Sequence, residues 1–244
     1  MEKPPRESIE GTLSVLRDIG YRPGAVIDIG VAWGTPGLYS VWPDVDICLV
    51  EPSVKGLAYM QQIAAKYPRV HIFNVAASNH TGELVGGEHQ DLANVTFAKR
   101  GAAFNETTFP AMTCDDIVRA AGLTPPFVYK LDTDSHEAEI VEGSSETLAN
   151  SDLCILEFCV FHGPRGRTRP DDLWQAMRER GFVFFDLAGS GYGRSGVMRS
   201  ADIAFIREES ELYRLAKDNS AKRADLVERR AAQYKAALID NDHI

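Results

Sequence analysis

Ala25-Val26-Ile27-Asp28-Ile29-Gly30-Val31-Ala32-Trp33-Gly34 reads as a strand running straight into a glycine-bracketed turn. Apart from Asp28 the strand is continuously apolar, without the alternation of a half-exposed strand. Such continuity belongs to a strand covered on both faces, where neither side meets water. Comparable runs recur at residues 47–51, 70–75, 127–132, 153–160, 182–187 and 202–207. Helical patterns fill the gaps at residues 8–19, 54–66, 113–121, 137–149, 170–180 and 209–237. Strands alternating with helices predict an α/β fold, a mainly parallel seven-stranded sheet with helices on both faces. Residues 188–200, between the last two strands, hold four glycines and no helical pattern. That connection suits a hairpin, so the final strand is expected to run antiparallel to its neighbour. Residues 82–110 are less regular and read as a hairpin or a loop over a site.

The chain has 244 residues, 44% of them hydrophobic, enough for a sizeable core without a second domain. Residues 1–208 are read as one domain with a helical lead-in at 1–24, and residues 209–244 as a helical extension. A net charge of −9 argues against nucleic acid as the main partner. The largest basic cluster, Arg165-Gly166-Arg167-Thr168-Arg169, is either a solvated turn or a contact for an acidic substrate. No run approaches the roughly 18 apolar residues of a membrane span, and the first residues lack an apolar export segment. A cytoplasmic location is therefore expected. Cys48, Cys114, Cys154 and Cys159 form no Cys-x-x-Cys pair and read as free, mostly buried thiols. Composition leaves a homo-oligomer open.

The turn after the first strand should lie where open α/β sheets bind ligands, outside the carboxyl ends of the strands. Gly30 and Gly34 let the backbone turn tightly and approach a ligand. Glu51 ends the second strand, where a carboxylate can accept two ribose hydroxyl hydrogen bonds. The spacing Gly30-x-x-x-Gly34-x-x-Gly37, interrupted by Pro36, departs from the Gly-x-Gly-x-x-Gly of pyrophosphate sites. Asp28 suits the sulfonium and amino group of S-adenosylmethionine better than a pyrophosphate. Ala76-Ala77-Ser78-Asn79, after the third strand, would lie beside the adenine or form an ordinary turn. The expected cofactor contacts are thus Asp28, Gly30, Gly34, Glu51, Ala77 and Ser78.

Several ordered segments resemble the FkbM family of methyltransferases: VIDIGVAWG at 26–34, VEP at 50–52, MTCDDIVRAAGL at 112–123, YKLDTDSHEAEIVEG at 129–143, ILEF at 155–158 and ADIAFIRE at 201–208. The resemblance spans residues 25–207. It implies a Rossmann-like class I methyltransferase fold and methyl transfer from S-adenosylmethionine to an oxygen. The implied acceptor is a hydroxyl of a sugar, glycoconjugate or secondary metabolite. Three positions depart: Ala32 stands where Asn is usual, Ser135 where Gly is usual, and Cys114 where Leu is common.

Candidate chemistry gathers around the fourth strand. Lys130 and Asp132 share a side if that strand is regular. Asp132 is expected at the junction of cofactor and acceptor, with helix capping or an ion pair to Lys130 as its other reading. His136 can take a hydroxyl proton, since its pKa is easily poised near neutrality; otherwise it is a surface residue of a first helical turn. Glu137 can stabilise that helix N-terminus. Glu157 interrupts the apolar run 153–158, so it should sit at the open strand end or have a buried partner. Lys130, Asp132, His136 and Glu157 are the expected catalytic set. Asp132 and Glu157 without a clear third ligand make a weak cation site, and no metal is expected. His162, Arg165, Tyr192 and Arg194 are candidates for the acceptor wall. A small-molecule or carbohydrate acceptor is the expected partner. A nicotinamide-dependent oxidoreductase, or a noncatalytic binding protein that kept the fold, are the alternatives.

Overall fold

A computed structural model describes residues 5–88, 95–97, 106–133, 136–160 and 168–221. Its main sheet holds β1 (Ala25–Ile29), β2 (Asp46–Val50), β3 (Val70–Phe73), β8 (Phe127–Leu131), β9 (Ser151–Cys159), β10 (Phe182–Tyr192) and β11 (Met198–Arg207). The strand order is β10-β11-β9-β8-β1-β2-β3. Neighbours pair in parallel from β3 through β9, while β11 is antiparallel to both β9 and β10. All seven expected strands form, with the expected hairpin at the end. Strand order reverses at β1, which lies between β2 and β8, and the crevice above that point holds the candidate site.

The continuous apolar runs are explained by what covers them. Val26, Ile47, Leu49, Val128 and Ile155 face a core closed by α1 (Ile9–Asp18), α2 (Pro36–Tyr39) and α3 (Val54–Ala64). Ile27, Ile29, Tyr129, Leu131, Cys154 and Leu156 face the opposite core, closed by α4 (Cys114–Ala121), α5 (Glu137–Glu142), α6 (Ser145–Ala149) and α7 (Pro170–Glu179). Helix starts follow local capping chemistry. The side chains of Ser8, Ser53 and Thr113 accept from the backbone N–H of Gly11, Gly56 and Asp116, satisfying donors that have no partner within the helix.

Three stretches differ from the sequence expectation, and the hairpin reading of 82–110 is met by antiparallel pairing. The helix expected over 137–149 is two helices broken at Gly143-Ser144. A Cβ at Gly143 would lie 2.0 Å from the Ser78 carbonyl oxygen, so the chain bends around that contact. Asp115 then caps α6 from outside, accepting from the N–H of Glu146 at 3.0 Å and of Thr147 at 2.7 Å. The turn from Pro36 to Tyr39 is helical. β10 and β11 extend into the stretch expected as loop, because the bare Gly189 and Gly191 leave room for the facing Asp202 and Ser200. Residues 82–110 contribute to a second sheet, β4-β7-β5-β6, of β4 (Ala76–Ala77), β5 (Gly82–Glu88), β6 (Val95–Thr96) and β7 (Glu106–Met112). β5 and β7 pair antiparallel, and Ala76, Val95, Phe109 and Ala111 form a small core with Leu84 and Phe97. Residues 211–221 are helical, and the remainder of the expected C-terminal helix lies outside the described residues. Among the described residues no helix is long and apolar enough to cross a membrane. All four cysteines are free of disulfides, and three are buried.

Candidate active site

A cavity of about 330 Å³ opens above the carboxyl ends of β2, β1 and β8. Its walls include the loop 29–35, Glu51 and Pro52, Ala76 and Ala77, Val95 and Phe97, Lys130 to Thr133 in part, His136, Ile140 and Glu157. The structure therefore brings together Gly30, Gly34, Glu51, Ala77, Lys130, Asp132, His136 and Glu157 of the expected set.

Gly30 sits where a side chain has no room. Its φ is +82°, and a Cβ would stand 1.9 Å from the Asp132 carbonyl oxygen. This close approach locks the β1 turn to the exit of β8, and the Asp132 N–H donates to the Ile29 carbonyl at 3.0 Å. Two residues on, Ala32 holds φ at +45°, a left-handed conformation that disfavours a Cβ. Asn tolerates that region better, which is the physical content of the Ala32 departure.

Glu51 is buried, and each carboxylate oxygen receives one backbone hydrogen bond. Ser53 N–H donates to Oε1 at 2.9 Å and Ala32 N–H to Oε2 at 3.2 Å. Burial raises its pKa, and those backbone donors oppose the shift. Gly56 makes the placement feasible, since a Cβ there would meet Glu51 Cγ at 2.1 Å. Glu51 also lines the cavity, where hydroxyl donors can reach its carboxylate.

Asp28 and Ser78 occupy different places from those expected. Neither lines the cavity, and both are fully buried. The Asp28 carboxylate accepts from the Tyr39 hydroxyl and from Lys130 Nζ at 3.2 Å. The β1 alternation turns it to the side of the sheet that packs Tyr39, where it anchors Lys130. Lys130 Nζ also donates to Asp132 Oδ2 at 3.1 Å. Burial alone would lower the Lys130 pKa, but the Asp132 and Asp28 carboxylates outweigh it and hold the ammonium charged. Lys130 is thereby a fixed cation and not a base. Ser78 Oγ lies 3.0 Å from His136 Nε2, and His136 Nδ1 is 3.6 Å from Glu139 Oε2. Burial lowers the His136 pKa, Glu139 opposes it, and the ring packs 5.2 Å from Phe97. His136 thus lines the cavity with its ring held among Ser78, Glu139 and Phe97.

Asp132 follows the end of β8, and Glu157 reaches the same corner from β9. Burial pushes the Glu157 carboxyl up to about 7, with the Asp132 charge and a hydrogen bond to Asp132 adding to it and a Ser200 hydrogen bond opposing. Asp202 was not singled out from sequence. Burial and then Asp132 push it up to about 6, against the pull of Lys130. The signal was present, because Asp202 breaks the apolar run 201–206 much as Glu157 breaks its own. Glu137 hydrogen-bonds the Thr133 hydroxyl at 3.2 Å in the first turn of α5. Tyr192 is exposed at the end of β10, and neither it nor Arg194 lines the cavity. His162, Arg165 and the departure at Ser135 lie outside the described residues. Among the described residues no three His, Cys, Asp or Glu side chains converge as metal ligands.

A parallel sheet with one inserted antiparallel strand, a glycine turn after β1 and an acidic residue ending β2 define a Rossmann-like methyltransferase fold. The methyltransferase FkbM domain matches residues 49–184, more than half of the chain, and the protein belongs to that family. It is a methyltransferase, and its methyl donor is S-adenosylmethionine. No curated protein matches the sequence significantly. The chain is similar to magnesium protoporphyrin IX methyltransferase from Synechocystis with bound S-adenosylmethionine, at 15% identity over 82% of this chain and 77% of that one, TM-score 0.45. It is also similar to 1,6-didemethyltoxoflavin-N1-methyltransferase from Burkholderia thailandensis with bound S-adenosylhomocysteine, at 13% identity over 82% and 79%, TM-score 0.45. Likenesses this distant do not bear on the acceptor.

Proposed function

We propose that the protein transfers a methyl group from S-adenosylmethionine to a hydroxyl of a sugar, glycoconjugate or secondary metabolite. The observation that carries this reading is that Asp132 and Glu157 both line the cavity, where burial holds the Glu157 carboxyl up to about 7. A hydroxyl acceptor must give up a proton, and a carboxyl such as Glu157, whose proton affinity falls near neutrality, is suited to take it. Glu51 lies at the other side, three strand positions from Glu157 in the order β2-β1-β8-β9, or roughly 14 Å at normal strand spacing.

The residues present fit the donor. Glu51 would hold ribose hydroxyls with its carboxylate, the bare Gly30 and the turn to Gly34 would admit the donor's amino-acid portion, and the small Ala77 would flank its base. When bound, S-adenosylmethionine supplies an electrophilic methyl group on a sulfonium. Lys130 fixes the Asp132 carboxylate, and Asp132 orients the acceptor hydroxyl toward the methyl carbon. Such positioning supplies much of the rate in a displacement of this kind.

Calorimetry with S-adenosylhomocysteine followed by labelled methyl transfer to panels of hydroxyl and amine acceptors tests the reading. Expected are nucleoside binding, label on oxygen, and loss of turnover with retained binding in Asp132→Asn. Transfer to amines alone, or near-normal turnover in Asp132→Asn, overturns it.

A further inference from the structure

Asp202 and Glu157 are cross-strand partners between β11 and β9. On its other side Asp202 is paired with Gly189 of β10, where a Cβ would stand 2.3 Å from Asp202 Oδ2. The carboxylate thus lies over a bare backbone position, leaning toward the edge strand and away from Glu157. Asp202 does not line the cavity, yet the Asp132 and Lys130 charges both act on it. Its route to the cavity runs through its cross-strand partner Glu157, which does line it.

We propose that Asp202 is a positioning residue for methyl transfer, its carboxylate acting on Glu157 from the facing strand so that Glu157, beside Asp132, takes the acceptor's hydroxyl proton. This rests on the O-methyltransferase reading above. The step balances: the acceptor O–CH3 bond forms as the carbon–sulfur bond breaks with its electron pair to sulfur, and the O–H proton passes to Glu157. A positive charge disappears at sulfur while a proton arrives on Glu157, so an acidic corner serves both ends of the reaction.

The groups facing Glu157 can be named for each neighbouring element. Lys130 and Asp132 come from β8, and Ser200 and Asp202 from β11. Glu137 of α5 shares a small cavity with Glu157 together with Thr168. On its own strand, Cys159 Sγ lies 3.9 Å from Oε2. Burial is the largest influence on Glu157, and Asp132 and Asp202 add to it as like charges. Lys130 restrains Asp202, so Asp202 remains the more readily ionised of the two.

The test follows the Glu157 carboxyl directly, without an acceptor. Full-length protein labelled with carbon-13 at the glutamate carboxyls is titrated by NMR, with Glu157→Gln assigning the signal. Asp202→Asn keeps the shape and removes the charge, so the Glu157 midpoint is expected to fall by roughly half a pH unit or more. Gly189→Ala pushes the Asp202 carboxylate off the edge strand toward Glu157, so the midpoint is expected to rise. Affinity for S-adenosylhomocysteine should stay within twofold in both. A midpoint unmoved by both substitutions overturns the proposal. A wild-type protein that titrates as expected but methylates only amines would overturn the reaction reading and leave the Asp202–Glu157 coupling standing.

Discussion

Replacing Lys130 with methionine should show how the site is anchored. Nζ lies 3.2 Å from Asp28 and 3.1 Å from Asp132, with side-chain exposures of 4% for the lysine, 0% for Asp28 and 41% for Asp132. Asp132 can turn to water when the cation is lost. Asp28 cannot, and among the described residues it keeps the Tyr39 hydroxyl as its hydrogen-bond donor. Leaving one partner of a buried pair uncompensated costs about 3–5 kcal/mol. Asp28→Asn should cost less, about 1–3 kcal/mol, because Lys130 then still faces the partly solvated Asp132. The double substitution removes both charges and should be less harmful than the sum, with a coupling of about 2 kcal/mol. Urea unfolding midpoints at constant slope measure all three. The Lys130 pKa lies above its unfolded value, so its contribution is complete below the ordinary lysine range and lost only as pH rises beyond it. A Lys130→Met deficit under about 1 kcal/mol, or additive energies in the cycle, would refute Lys130 as the counterion of a buried Asp28.

Glu51→Ala should weaken S-adenosylhomocysteine binding by roughly 30-fold or more through lost charge-assisted hydrogen bonds. Unchanged affinity in the folded variant would remove Glu51 from the nucleoside site. Ala32→Asn should relieve the left-handed strain and stabilise the fold by roughly 0.5–1 kcal/mol, read as a rise in melting temperature; no rise would place the strain elsewhere. Burial and Asp132 raise Glu157 from 4.5 to about 7, so between those values the folded chain holds a proton that the unfolded chain has released. Stability should fall as pH rises through that window, and Glu157→Gln should lessen the slope, leaving the share due to Asp202. Identical slopes of melting temperature against pH would contradict the burial of that carboxyl.

How much could be read without coordinates differs by element. Residues 25–29, 47–50, 127–131 and 153–159 were recognisable as strands because burial on both faces requires apolar residues at every position, a local constraint. The caps at Ser53 and Thr113 are equally local, though they were seen only in the structure. The glycine turn and Glu51 marked a nucleoside site because the ends of β1 and β2 are adjacent in any such sheet. The single helix expected over 137–149 failed because nothing in that stretch reveals the Ser78 carbonyl against Gly143.

The chain's own pattern thus determined the sheet, its antiparallel ending and the family. Side-chain periodicity within a strand and capping within a turn are properties of neighbouring residues. Only tertiary structure decided what Asp28 does. Its position in the opening stretch suggested a ligand contact, and packing against Tyr39 and Lys130 made it a buried counterion. Only tertiary structure joined Asp202 to Glu157, since register across β9 and β11 links residues 45 positions apart in the chain. The spacing of such partners depends on the packing of the whole sheet, and no local stretch encodes it.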